Sequence, residues 1–246
     1  MSIVSVVQDE ASKVSVHGIL KRDYKYRTQW KARVKKWNET EGRHPFHHGI
    51  DMDTHHLISV NAMKDLSDDI KTALKEKGYN INGLGNLVGI PATLEGACHL
   101  RTQLHRTKHI FSEDQYGKNK DFDYHKEVRA RIKEAAASIR KCYGTSEVEP
   151  SKRAIHTQVM DNISQKLLKG IVKFRIPLTS IFNNFNPEDT PYKGCRGVSS
   201  IPQALIATQC CDGDHAGESN FRKNGPNELR DSVVDFSHKW ELKRTL

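Results

Sequence analysis

Thirteen histidines in 246 residues are the chemically richest feature of this sequence, because imidazole is both a metal ligand and a proton acceptor near neutral pH. They are densest in DTHHLI (residues 53–58) and LHRTKH (104–109), with the turn-rich GNLVGIP (85–91) between them. Adjacent residues of an extended segment point to opposite sides, so His55 and His56 cannot share one role; one can hold a metal while the other faces substrate. His105 and His109 are four apart, a spacing that stacks both rings on one face of a helix as a chelating pair. One histidine of the first motif added to that pair makes three neutral nitrogen ligands. Such a set leaves positions open for water and a substrate oxygen, the composition of a catalytic rather than a structural site.

The order of these parts is a His-His pair on a strand, an asparagine in a short turn and strand, and a second His pair downstream. It resembles the ββα-metal, or HNH, nuclease site. More narrowly, the sequence is similar to the AHH group of HNH/endonuclease VII-like nucleases, commonly toxin domains of bacterial secreted effectors. The resemblance spans residues 55–132, through HHL, GYNINGLGNLVGIP, LHRTKH, and Tyr124 and Val128 of YHKEV. It implies that His56 is the general base for the attacking water, that Asn86 orients this base, and that His55, His105 and His109 hold one divalent cation. Imidazole ligands suit Zn²⁺ or Ni²⁺, whereas phosphodiester hydrolysis often uses Mg²⁺ or Mn²⁺. It implies also an antibacterial effector neutralised in the producer by a dedicated immunity protein, and a largely sequence-nonspecific endonuclease acting on DNA in preference to RNA. The rival from another class is a non-catalytic, zinc-stabilised nucleic-acid-binding module, which saturated four-ligand coordination would favour.

A second constellation is Cys195, Cys210, Cys211 and His215. Its four soft ligands invite a zinc reading, but the spacing matches no knuckle with paired Cys-x-x-Cys arms, and buried thiols are the expectation. Cys98 and Cys142 fall on helical stretches and read as core. Among the other histidines, His44, His47 and His48 read as loop residues and His99 as structural. Asp53 and Asp51 flank the first pair, where a carboxylate could bond a ligand's second ring nitrogen.

The resemblance implies an α+β protein, mostly helical, around a ββα-metal core that positions these residues. Trp30, Val34 and Trp37 form one apolar helical stripe, and eight Lys or Arg between positions 21 and 36 face a single acid, Asp23. Lys25, Arg27, Lys31, Arg33, Lys35 and Lys36 are therefore candidates for phosphate contact. Helices are expected over 57–78, ending on Gly78, and over 94–108, 123–142 and 151–169, with an extended segment at 86–90 stopped by Pro91. VKFRIPLTSIF (172–182) could be a strand, 3–7 is a short β-branched stretch, 112–121 reads as an exposed loop, and 144–152 reads as a linker. The expected organisation is a basic segment over 1–45, the nuclease core over 46–145 and a C-terminal subdomain over 150–246.

Composition bounds the rest. With 36% hydrophobic and 28% charged residues the chain is globular rather than disordered or collagen-like. Lys plus Arg at 39 against Asp plus Glu at 30 leaves a net charge of +9, which favours polyanionic partners. Five cysteines, an odd number, argue against a fully paired extracellular disulfide framework. No run suits a signal peptide or membrane-spanning helix, so the expectation is a chain without membrane insertion, cytoplasmic in the producer and delivered into the target-cell cytoplasm by a specialised secretion system.

Overall fold

A computed structural model of the protein describes residues 17–40, 44–105, 109–111, 122–142, 155, 159–213, 215 and 242–244. The 3–7 stretch, the 112–121 loop and the 144–152 linker lie outside the described residues. At the centre is an antiparallel hairpin of β1 (Met52–His56) and β2 (Leu87–Pro91), whose register pairs His56 with Leu87, His55 with Val88, Thr54 with Gly89, Asp53 with Ile90 and Met52 with Pro91. Residues opposite one another share a face and successive residues alternate. One face thus carries Asp53, His55, Val88 and Ile90; the other carries Met52, Thr54, His56, Leu87 and Gly89.

The basic helix α1 (Tyr26–Thr40) covers the second face. Its stripe is one turn longer than Trp30, Val34 and Trp37 alone: Tyr26 is also buried, and Tyr26, Trp30 and Val34 pack with Ile50, Met52, Leu87 and Leu100. Gly89 lets this helix approach, since a Cβ there would sit 2.3 Å from Trp30 Cζ2, deep inside van der Waals contact. Of the basic candidates, Lys25, Arg27, Lys31, Lys35 and Lys36 are exposed and Arg33 is half-buried.

Helices α2 (Val60–Lys64), α3 (Asp68–Glu76), α5 (Tyr124–Glu134), α6 (Ala136–Lys141) and α7 (Asp161–Val172) contribute to the core on the first face. Val88 and Ile90 share this core with Leu74, Tyr124, Val128, Ile163 and Leu167. The chain beyond the expected 145–150 boundary thus adds α7 to the same apolar cluster as α5. A third cluster gathers α4 (Leu94–Leu100) with Phe185, Cys195 and Ala204, the last on α8 (Ile201–Ile206), and β3 (Ile110–Phe111) pairs with β4 (Phe122–Asp123). The architecture is the expected α+β one, largely helical with a small antiparallel sheet. No helix among the described residues is long and apolar enough to cross a membrane.

Local chemistry sets the boundaries. Ser59, Thr93 and Asp123 cap α2, α4 and α5 through their side chains, and Gly78 follows α3 at φ 73°, a left-handed conformation glycine adopts without strain. The expected helix over 57–78 begins later, because its first residues close the hairpin strand and Ser59 starts a new helix. The expected 123–142 helix is interrupted at Ala135. The 172–182 segment is no strand but a series of turns leaving α7, with Ile176 and Leu178 buried.

The largest departure is at 94–108, where the helix stops at Leu100 and Arg101 turns left-handed at φ 49°. Gln103 explains the stop. Its buried amide donates to the carbonyls of Ile171 (2.8 Å) and Ile176 (3.0 Å) while its oxygen accepts the Leu178 N–H (2.9 Å), ties that a continuing helix would have to break. His105 and His109 therefore do not stack on a helix.

Substitution of Gly89 by alanine should separate α1 from the hairpin. The expected loss is about 1–3 kcal/mol of unfolding free energy, the usual effect of overpacking, read from the denaturant midpoint at unchanged m-value.

Candidate active site

His55 on β1, His105 on the coil after α4 and His109 before β3 come together without a helix. One nitrogen from each lies within 4.8 Å of the others, and the ring centroids are 5.1 Å (55–105), 4.9 Å (55–109) and 4.8 Å (105–109) apart. The backbone that delivers them is pinned: the His105 N–H donates to the Pro91 carbonyl at the end of β2 (2.8 Å), and His109 is held at φ 49°.

Each ring engages an outer partner through one nitrogen. His105 Nδ1 bonds Asp53 Oδ2 at 3.2 Å, the carboxylate standing two residues before His55 on the same strand face. His109 Nδ1 is 3.4 Å from the Leu178 carbonyl, so this nitrogen bears the proton and Nε2 the lone pair. His55 Nε2 is 3.3 Å from the Tyr124 hydroxyl, whose own proton goes to the Leu57 carbonyl at 2.6 Å. Tyr124 therefore accepts from His55 Nε2–H, leaving Nδ1 to coordinate. Burial is the largest cause lowering the pKa of His55 well below its ordinary value, followed by the neighbouring His109 and His105; burial and His105 bring His109 to about 3. Both rings are neutral at physiological pH, the form that binds metal. Three imidazoles oriented by a carboxylate, a phenol and a carbonyl fit a divalent cation.

His56 lies on the opposite face, against α1. Its ring packs on Tyr26 with centroids 4.5 Å apart, and its Nε2 is 3.1 Å from Asn82 Oδ1. The Asn82 amide donates to the Lys21 carbonyl (2.9 Å) and its oxygen also accepts the Asp23 N–H (3.2 Å), so that oxygen can only accept from His56. Nε2 therefore carries the proton and Nδ1 the lone pair. Burial, then the charges of Arg22 and Arg27, outweigh the Asn82 bond and lower the His56 pKa to about 4. Both guanidinium groups lie over the Tyr26 ring, 5.7 Å from its centroid.

Asn86 makes no hydrogen bond to the His56 ring. Its side chain is buried and bonded to other partners: Oδ1 accepts the Ile58 N–H (2.6 Å) and the Ser164 hydroxyl (3.0 Å), while Nδ2 donates to the Ile58 (3.0 Å) and Ile81 (2.8 Å) carbonyls. Asn86 binds the chain leaving β1 to the chain entering β2, and Asn82 takes the orienting position. Asn82 reads in sequence as one more turn residue of GYNINGLGN; only its contact with His56 distinguishes it. His125 is a further histidine whose position the sequence does not signal. Its Nδ1 pairs with Ser59 Oγ at 2.8 Å and its ring lies 6.2 Å from that of His109. His44 packs against Trp30 and Trp37, His99 Nδ1 accepts the His215 N–H (3.4 Å), and Cys210 is exposed, apart from the other sulfurs of its constellation.

Two paired antiparallel strands carrying adjacent histidines lie between helices, with two more histidines closing on one face. Residues 37–166 match the model of the AHH family, a nuclease family of the HNH/ENDO VII superfamily with conserved AHH. The chain belongs to this family of nucleases, with Thr54 preceding His55 and His56. Comparison with curated proteins and with solved structures finds no match. Nucleases of this superfamily use a metal ion, and the His55, His105 and His109 group fits one.

Asp53→Ala should release His105 from its orienting carboxylate while keeping all three imidazoles. Metal affinity should fall by about 10–100-fold in calorimetric titration, the range for removal of such an outer partner, with Asp53→Asn retaining part of it.

Proposed function

We propose that the protein is a metal-dependent, largely sequence-nonspecific endonuclease that cuts DNA in preference to RNA. The proposal rests on the convergence of three imidazoles, each with its second nitrogen already engaged. Three protein ligands rather than four among the described residues leave coordination open, which favours catalysis over the non-catalytic zinc-stabilised alternative. An all-imidazole donor set favours a transition metal such as Zn²⁺ over Mg²⁺.

In this reading His55, His105 and His109 hold one divalent cation, which when bound supplies Lewis-acid stabilisation to the scissile phosphate and the departing 3′ oxygen. His56 is the general base. Its Nδ1 accepts a proton from the attacking water, and the Asn82 oxygen, bonded to Nε2–H, stabilises the imidazolium that results. The water oxygen forms the new bond to phosphorus as the bond to the 3′ oxygen breaks. Burial, helped by Arg22 and Arg27, keeps His56 unprotonated before substrate arrives, and the two guanidinium groups offer charge to the phosphate. Lys25, Arg27, Lys31, Arg33, Lys35 and Lys36 on and beside α1 extend this positive surface along the flanking backbone. The resemblance to effector toxins supports an antibacterial role, and the +9 charge supports an acidic immunity protein as partner.

Purified protein should cleave plasmid DNA faster than RNA and lose both activities with chelator. His56→Ala should keep its metal and nucleic-acid affinity yet lose cleavage by about 10²- to 10⁴-fold, and Asn82→Ala should fall between it and the parent. His105→Ala and His109→Ala should lose active-site metal first. The reading fails if His56→Ala cuts normally or loses metal as completely as His105→Ala.

Glutamine at Lys25, Lys31, Lys35 and Lys36 tests the helix separately. The slope of log K against log salt for duplex binding should flatten by about 0.9 for each phosphate no longer neutralised. An unchanged slope makes this face a solvated surface only.

A further inference from the structure

We propose that Cys98, Cys195, Cys211 and His215 form a tetrahedral structural zinc site that fastens the C-terminal region to helix α4, independent of the histidines of the active site. The four donor atoms lie within 4.8 Å of one another. Cys98 Sγ is 3.6 Å from Cys211 Sγ, and His215 Nε2 is 3.3 Å from Cys195 Sγ and 3.4 Å from Cys211 Sγ. Zinc–sulfur bonds of about 2.3 Å and zinc–nitrogen bonds of about 2.0–2.1 Å at tetrahedral angles give S···S edges of about 3.8 Å and S···N edges of about 3.6 Å. These three of the six edges match that polyhedron within a few tenths of an ångström, and the other three lie within 4.8 Å. A disulfide needs sulfurs about 2.05 Å apart, and all five cysteines are free thiols.

The surrounding backbone is shaped to this convergence. Three separate segments supply the donors: α4 brings Cys98, the turn at 194–197 brings Cys195, and the chain beyond α8 brings Cys211 and His215. Gly194 has φ 54°, and a Cβ on it would fall 2.7 Å from Cys98 Sγ and 3.1 Å from the Cys211 Cβ, so the chain closes on the sulfurs as tightly as glycine permits. The Cys195 N–H points at Cys98 Sγ at 3.3 Å, a backbone donor for a thiolate. Residues 186–213 have little regular structure beyond the short α8, and a Cys3His centre would supply the cross-link such a segment needs. Four protein ligands leave no open position, which makes this centre structural rather than catalytic. Because α4 ends at the Arg101 turn that leads to His105, the same cross-link steadies the root of the active-site loop.

The membership differs from the set of Cys195, Cys210, Cys211 and His215 that the sequence suggests. Cys210 is exposed, and Cys98, nearly a hundred positions before Cys195, takes its place. That separation is why no local spacing rule finds the set.

Metal analysis and cobalt substitution of the intact chain test the proposal. A His105→Ala/His109→Ala double variant, stripped at the active site, should still bind one equivalent of zinc. With Co²⁺ it should show thiolate-to-cobalt charge transfer in the near ultraviolet and the intense visible bands of a tetrahedral site. Cys211→Ser should remove about a third of the charge-transfer intensity, one thiolate of three, and weaken binding, while Cys210→Ser leaves both unchanged. Where Cys211→Ser does not fold, thiol labelling of the parent decides: chelator should accelerate modification of three cysteines and leave Cys210 at its original rate. Absence of the charge-transfer band, an equal response to Cys210→Ser, no chelator effect on labelling, or a Cys98–Cys211 disulfide in the mass spectrum would each overturn the site. Failure of plasmid cleavage alone would bear on the active site and leave this one standing.

Discussion

The two-residue alternation of β1, locked by its pairing with β2, sets the two faces on which the candidate active site is built. Asp53 and His55 project into the α5 and α7 side of the hairpin while His56 projects toward α1, because successive side chains of a strand point to opposite faces. A slip of one residue would exchange the faces, sending His55 to Tyr26 and His56 to Tyr124. Two features outside the strand hold the register. Asn86 ties its whole side-chain amide to Ile58, Ile81 and Ser164, and Gly89 admits the Trp30 ring where any side chain would exclude it.

Each face sets a different electrostatic environment for its histidine, by different means. His55 and His109 lose their charge chiefly to burial and then to neighbouring imidazoles, a state suited to coordination and unfavourable to protonation. Burial dominates at His56 too, but here the nearby positive charges are arginines of the α1 region rather than other imidazoles. The same helix that buries the hairpin through Tyr26, Trp30 and Val34 thus carries charge that tunes His56, and its outer face presents the lysines. Packing, pKa and charge display are joined in a single element, with the buried indoles on one face and the exposed lysines on the other.

Much of this arrangement is legible along the chain. Trp30, Val34 and Trp37 mark the buried stripe of α1, Pro91 marks the end of β2 and Gly78 the end of α3, because helical periodicity, the missing proline N–H and the left-handed tolerance of glycine are local properties. The adjacency of His55 and His56 likewise foretells two faces with different surroundings. The path of the loop that carries His105 is not legible: residues 94–108 read as one helix because Gln103 looks like any helix former. Its three hydrogen bonds to the exit of α7 involve carbonyls and an amide roughly seventy positions away.

The chemical inventory and its local frames thus follow from the order of residues: which histidines are near neighbours, where strands and caps fall, the family to which the chain belongs and the sign of its surface. Which groups meet is a matter of folding. The fold selects Asn82 over Asn86 as the partner of His56, brings His105 and His109 together from positions outside any helix, bonds Asp53 to His105, and exchanges Cys210 for Cys98. Propensity and capping act over a few residues and can be read along the chain, whereas hydrogen-bond satisfaction and close packing are settled between segments that only the fold brings together.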